Sequence, residues 1–65
     1  MQPYQQRVVE EKAELDAKIS RLEAFLNDNT NVLSLQVDEH SRLLQQATVM
    51  REYSRILGLR IAEFK

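Results

Sequence analysis

The sequence predicts an all-α protein, an antiparallel two-helix hairpin that assembles into a helical homo-oligomer. One glycine and one proline occur among 65 residues, and most of the others favour helix. A single run of polar residues at 27–31 interrupts the chain, and such residues prefer turns and helix caps. The apolar residues form more than one stripe, so a single pairing of two helices cannot cover them all.

The first helix is predicted over about residues 3–28. Pro3 suits the first turn of a helix, where its missing N–H leaves no hydrogen bond unmade. No helix breaker follows before the polar run. Once Lys12 is counted in the stripe, apolar residues recur at steps of three and four, which indicates a seam for helix packing: Val8, Leu15, Ile19, Leu22 and Leu26.

A turn is predicted over 29–34 and a second helix from 35 to about 63. Ser34 can cap this helix, and Asp38 and Glu39 place negative charge in its early turns. Gly58 lies inside it at a cost of about 1 kcal/mol relative to alanine. Gly58 is either a tolerated weak spot near the helix end or a point of close approach by another backbone or a ligand. The seam residues are Leu43, Ala47, Met50, Ser54, Leu57, Ile61 and Phe64.

Apolar residues beyond the two seams predict self-association. A short connection folds the helices back antiparallel, and this leaves one buried interface. Each bulky side chain left in water forgoes about 1.5–3 kcal/mol of burial free energy. We therefore expect a second protomer to cover them, in a dimer or a ring of dimers. The surplus residues are Val9, Phe25, Val37, Leu44, Val49, Tyr53 and Ile56.

Composition argues against several functional classes. Without cysteine the chain has no disulfide or thiolate metal site, and His40 alone cannot hold zinc, so neither a metal nor a cofactor is expected. A net charge of −1 with interleaved signs argues against DNA or RNA binding. No apolar run approaches twenty residues and no signal-peptide pattern is present. We therefore expect a soluble intracellular protein without a membrane partner.

No catalytic constellation is visible, and the chain is predicted not to be an enzyme. It lacks a nucleophile–base pair, a metal set and a phosphate-binding loop. The acidic pairs Glu10–Glu11 and Asp38–Glu39 do not converge on one substrate, because neighbouring positions on a helix point about 100° apart.

The hairpin brings the start of helix one beside the end of helix two, and this open end is the candidate site. Residues 51–65 hold four basic and two acidic side chains, whereas 13–50 hold three basic and six acidic. Arginine beside tyrosine suits a planar anion, since guanidinium groups bind phosphate and aromatic rings stack on bases. The alternative is that basic groups lie here because a helix C-terminus favours them. The residues collected at this end are Tyr4, Gln5, Arg7, Tyr53, Arg55, Arg60, Phe64 and Lys65.

Two sets of short motifs, in order from Pro3 to Phe64, resemble a known phage domain. The first set is the run 3–12 (PYQQRVVEEK), then Glu14-Leu15-Asp16 and Arg21-Leu22-Glu23-Ala24-Phe25. The second set is Leu43-Leu44-Gln45-Gln46, Met50, Tyr53-Ser54, Leu57, Arg60-Ile61 and Phe64. Together they resemble the hairpin domain of anti-CBASS cyclic-oligonucleotide sponges, which also occurs in phage proteins that sequester Thoeris signalling nucleotides.

The resemblance implies a homo-oligomer, typically a hexamer built from dimers, in the cytoplasm of the infected bacterial host. Such sponges bind cyclic di- and trinucleotides without cleaving them, so that the signal does not reach its effector.

The resemblance also implies the ligand-binding residues. Tyr4 corresponds to a tyrosine that stacks on ligand bases, and Gln5 and Arg60 correspond to trinucleotide-pocket positions. Either Lys18 or Arg21 corresponds to a basic dinucleotide contact, and Arg7 at the open end completes the predicted set. Some ligand-binding members carry Asn at the position of Gln5 and Lys at that of Arg21.

Two functions therefore remain open at the level of sequence. One is the sponge just described. The other is a structural or adaptor hairpin whose second apolar stripe docks a different phage or host protein, as amphipathic helices do in hydrophobic grooves.

Overall fold

The computed structural model describes all 65 residues, and its regular elements are three helices. α1 spans Pro3–Leu26, α2 spans Asn29–Ser34 and α3 spans Val37–Ala62. The two long helices are antiparallel, since α1 begins beside the end of α3. The molecule is a rod of 47 × 15 × 13 Å. None of the three helices has the length and apolar character needed to span a bilayer.

α1 begins at Pro3, as predicted, and Gln2, the residue before it, holds the N-cap position. The backbone N–H of Gln2 donates a hydrogen bond of 2.8 Å to Oε1 of Gln5. This bond satisfies one of the N–H groups that have no partner within the helix at its N-terminus. At the other end the helix stops at Leu26, two residues before the predicted end, and the N–H of Asn27 bonds to the Glu23 carbonyl at 2.9 Å.

The predicted turn over 29–34 is instead the short helix α2. Asp28 caps it, because its Oδ1 accepts a hydrogen bond of 2.9 Å from the backbone N–H of Thr30. Ser34 does not cap the next helix as predicted. Its hydroxyl donates to the Asn31 carbonyl at 2.7 Å, and Gln36 holds the N-cap position of α3. α2 buries none of its residues.

The core lies along the seam between α1 and α3 and is small. It consists of Val8, Leu15, Ile19 and Leu57, with Met50, Ile61 and Phe64 packed against it. The radius of gyration is 14.8 Å, whereas a compact chain of this length would have about 11 Å. A rod of this shape buries little surface for its length, so the isolated hairpin has a limited source of stability.

The surplus apolar residues predicted on helix two are exposed. Val49, Tyr53 and Ile56, which we call the α3 strip, are 67%, 43% and 43% exposed. Val37 and Leu44 are exposed as well, and so is Leu33 on α2. The helical architecture is thus confirmed, while assembly into an oligomer stays a prediction.

Candidate ligand-binding site

An open groove of about 530 Å³ lies at the end of the hairpin where α1 begins and α3 ends. Its volume falls within the range of small-molecule sites, roughly 300–1,000 Å³. One wall comes from α1, and the rest comes from the last turns of α3 and the two residues that follow it. The groove is lined by Tyr4, Ile56, Leu59, Arg60, Glu63 and Phe64.

Tyr4 is held against the end of α3 by an aromatic contact. Its ring centroid lies 5.9 Å from that of Phe64, and the two planes make an angle of 74°, an edge-to-face arrangement. About half of Tyr4 remains exposed, 51%. The contact therefore fixes the position of Tyr4 and leaves ring surface accessible for stacking on a planar ligand.

Arg60 lies on the α3 wall of the groove and makes no ion pair or side-chain hydrogen bond within the chain. Arg55, which sequence analysis also placed at this end, is by contrast bound to Glu52 on the same helix. This hydrogen-bonded guanidinium holds the pKa of Glu52 below its usual value. The guanidinium of Arg60 is thus the one in the groove that is free to bind an anion.

The basic residues divide into two groups by their partners. Four form ion pairs, namely Lys12, Arg42, Arg51 and Arg55. The other five form none, namely Lys65 and the four cationic residues of the predicted ligand site, Arg7, Lys18, Arg21 and Arg60. Because an unpaired surface cation needs no partner to be displaced before it binds an anion, these four positions are electrostatically suited to a phosphate ligand.

Gln5 is placed differently from the other predicted site residues. It is buried at 5% exposure, and its Oε1 accepts the hydrogen bond from Gln2. Its Nε2 lies 3.5 Å from the Tyr4 hydroxyl. In this arrangement Gln5 supports the start of α1, beside the tyrosine, and its carbonyl is already occupied.

Lys18 and Arg21 are exposed but remote from the groove of the same chain. An α-helix rises about 1.5 Å per residue, so they lie roughly 21 and 25 Å along α1 from Tyr4. One protomer therefore brings Tyr4 and Arg60 together but not these two cations. They belong either to a separate site or to a cleft that a neighbouring protomer would complete.

Three of the residues that line the groove are not among the predicted site residues. Ile56, Leu59 and Glu63 stand four before, one before and three after Arg60. Ile56 and Glu63 are at helical spacings that share a face with Arg60, and this was the available signal. The apolar pattern assigns Ile56 to the surplus residues and gives no sign that it also lines the groove. No cluster of side chains suited to a metal ion is present.

Comparison with known proteins identifies the family. The family model described as Sequestin matches residues 2–63, nearly the whole chain. The chain belongs to the Sequestin family. The chain is also 40% identical, over 65 residues and the full length of both chains, to an uncharacterized 7.5 kDa protein of the denB–rIIB intergenic region in Enterobacteria phage T4. No solved structure matches the chain described here. The family name points to sequestration, and the T4 relative is a phage protein.

Proposed function

We propose that this protein is a phage anti-defence sponge that binds cyclic oligonucleotide immune signals in the infected cell and withholds them from their effectors without cleaving them. The observation that carries the proposal is the groove. It places a half-exposed tyrosine ring beside an arginine without an internal partner, which suits a base joined to a phosphate. Membership in the Sequestin family supports the sequestering part of the proposal.

The groove is open on one side, so a tight site needs a further wall. Sequestration acts by mass action, and a dissociation constant near 1 nM corresponds to about −12.3 kcal/mol. A groove lined by one protomer leaves much of a bound nucleotide in water. A second protomer docked beside it would exclude water from the stacking and phosphate contacts and strengthen both.

The test is a panel of cyclic dinucleotides, cyclic trinucleotides and cyclic ADP-ribose isomers, screened by thermal shift and quantified by calorimetry. A ligand at a hundred times its dissociation constant should add about 2.7 kcal/mol to the free energy of unfolding. Chromatography of the ligand after release should return it chemically unchanged. Absence of any shift across the panel would contradict the proposal, and turnover of the ligand would contradict its non-enzymatic part.

Two substitutions at one position make this test specific to the groove. Tyr4→Ala removes the stacking ring and should abolish binding, while helix content and oligomer mass stay unchanged. Tyr4→Phe keeps the ring and its contact with Phe64, and should bind nearly as tightly as the wild type. Equal affinities for Tyr4→Ala and the wild type would remove Tyr4 from the site.

The second candidate function is an adaptor hairpin, and the α3 strip favours it, because an uncovered apolar helix face is also what a partner groove recognises. Light scattering separates the two. A homogeneous homo-oligomer supports the sponge, whereas a monomer that aggregates until another protein is added supports the adaptor.

A further inference from the structure

Three polar side chains meet inside the seam between α1 and α3, and we call them the interhelix polar cluster: Lys12, Asp16 and Ser54. Nζ of Lys12 donates to Oδ2 of Asp16 at 2.8 Å and, across the interface, to Oγ of Ser54 at 3.2 Å. The Ser54 hydroxyl in turn donates to the Asp16 carboxylate. Ser54 is buried at 8% exposure, whereas the side chains of Lys12 and Asp16 are 31% and 45% exposed, so the cluster runs from the buried seam to its edge.

Gly58 makes room for this cluster. A Cβ at position 58 would lie 3.3 Å from Cε of Lys12, tighter than ordinary van der Waals contact. The aliphatic stem of Lys12 therefore passes over Gly58, and its amine reaches Ser54 one turn earlier on α3. The sequence leaves open whether Gly58 is a tolerated weak spot or a point of close approach by another backbone or a ligand. The structure shows a close approach, made by the Lys12 side chain.

Apolar packing alone does not define how α1 and α3 are aligned along their length. Both seams repeat at steps of three and four, so sliding one helix past the other by seven residues would again set apolar residues against each other. Such a slip would move Lys12 from Ser54 to Ala47 or Ile61. It would break both hydrogen bonds that join Ser54 to α1, whereas the pair of Lys12 with Asp16, which lies within α1, would remain. α2 contributes no buried residue to the core, so the connection adds no apolar packing that would distinguish one register from the other.

We propose that Lys12, Asp16 and Ser54, with the space left by Gly58, are positioning residues that select the one helix register in which Tyr4 meets Phe64 beside Arg60. A buried polar group at a helix interface can specify register, since a wrong register leaves it unpaired. Here that group is Ser54, whose two side-chain hydrogen bonds both cross to α1. The binding consequence rests on the proposed function, whereas the register itself does not.

The variant that tests this combines Lys12→Met, Asp16→Ala and Ser54→Ala. It removes every hydrogen bond of the cluster and keeps residues that favour helix. We expect unchanged helix content in circular dichroism. In NMR spectra we expect several sets of backbone amide peaks in place of one, and a weakened nuclear Overhauser peak between the Tyr4 and Phe64 rings. Affinity for the best cyclic nucleotide should fall more than tenfold.

The matched control is Glu39→Ala with Arg42→Met, which removes an exposed ion pair within one helix. It should keep one set of peaks, the ring-to-ring peak and full affinity. Ser54→Ala alone serves if the triple variant does not fold, because alanine favours helix, and it should also give more than one set of peaks. A single set of peaks with an undiminished Tyr4–Phe64 signal, in either cluster variant, would overturn the proposal.

The two readouts keep this proposal separate from the proposed function. The Tyr4–Phe64 signal is measured without ligand and decides the register question by itself. A wild-type protein that shows this signal but binds no cyclic nucleotide would count against the sponge, while the loss of the signal in the cluster variants would still support the positioning role.

Discussion

The ring of Tyr4, in the first turn of α1, meets the ring of Phe64, two residues beyond the end of α3, at 5.9 Å and 74°. The contact joins residues near the two ends of the chain, and only an antiparallel hairpin in the observed register brings them together. Tyr4 and Phe64 both line the groove. The contact that closes this end of the hairpin therefore also forms the groove.

A double-mutant cycle with Tyr4→Leu and Phe64→Leu should measure this contact. Leucine keeps apolar bulk at each site, so the coupling term reports the aromatic pair, for which we expect about 0.5–1.5 kcal/mol. The measurement is urea unfolding followed by circular dichroism at one fixed protein concentration, since stability of an associating protein depends on concentration. Additive effects of the two substitutions would show that the pair does not stabilise the hairpin.

Gly58→Ala should have different effects in two backgrounds. Alanine in a helix interior gains about 1 kcal/mol over glycine. In the wild type, part of that gain is lost, because the new Cβ lies 3.3 Å from Cε of Lys12, whose amine is held by Asp16 and Ser54. In Lys12→Ala, which has no Cε, the full gain should appear in urea unfolding. An equal gain in both backgrounds would contradict the close approach of Lys12 to Gly58.

The long helices could be predicted from sequence because the signals that define them are repeated. Each seam carries several apolar residues at steps of three and four, so no single exception obscures the pattern. Even Ser54, the polar residue in the predicted seam of helix two, is buried there as predicted. The structure of the connection was harder to predict, since Asp28 and Asn31 suit a turn and a short capped helix equally well. The hydrogen bonds that these two side chains make with Thr30 and Phe25 are not visible in the sequence.

The location of the candidate site could be predicted from sequence, because the antiparallel topology alone determines it. Folding the helices antiparallel places Tyr4 beside the end of α3, so the groove was expected at that end. The burial of Gln5 was not predictable in the same way, because it depends on α1 being capped at Gln2. The contact between Lys12 and Ser54 joins residues far apart in the chain, and a sequence pattern that repeats along both helices does not specify their register.

Asp16 should make stability depend on pH at the acid end. The hydrogen bond from Lys12, followed by that from Ser54, lowers the pKa of Asp16 below its ordinary value of 3.8. Because the folded pKa lies below the unfolded one, this contribution is fully present above about pH 4. It is lost as the pH falls from the unfolded pKa through the folded pKa.

The measurement for Asp16 is the thermal midpoint between pH 5 and pH 2. Asp16→Asn should show a shallower loss of stability over this interval than the wild type. Glu14→Gln is the control, since it also removes one carboxylate from α1 but one that makes no side-chain hydrogen bond or ion pair. An acid limb of the same steepness in Asp16→Asn and the wild type would refute the role of this carboxylate.

Self-association through the α3 strip is the prediction on which a closed ligand site depends. Val49 is 67% exposed and lies outside the groove, so Val49→Glu alters the strip without touching the residues that line the site. Placing a carboxylate in an apolar interface removes burial worth about 1.5–3 kcal/mol and adds a desolvation cost. In a two-fold interface each substitution acts twice.

Size-exclusion chromatography with light scattering should therefore give an oligomer for the wild type and a 7.6 kDa monomer for Val49→Glu. Leu33→Glu is the matched control, because Leu33 is an 85% exposed apolar residue on α2, at the opposite end of the hairpin from the groove. It should leave the oligomer mass unchanged. If wild-type protein at micromolar concentration is instead a folded monomer, the groove stays open on one side, and the adaptor function gains support over the sponge.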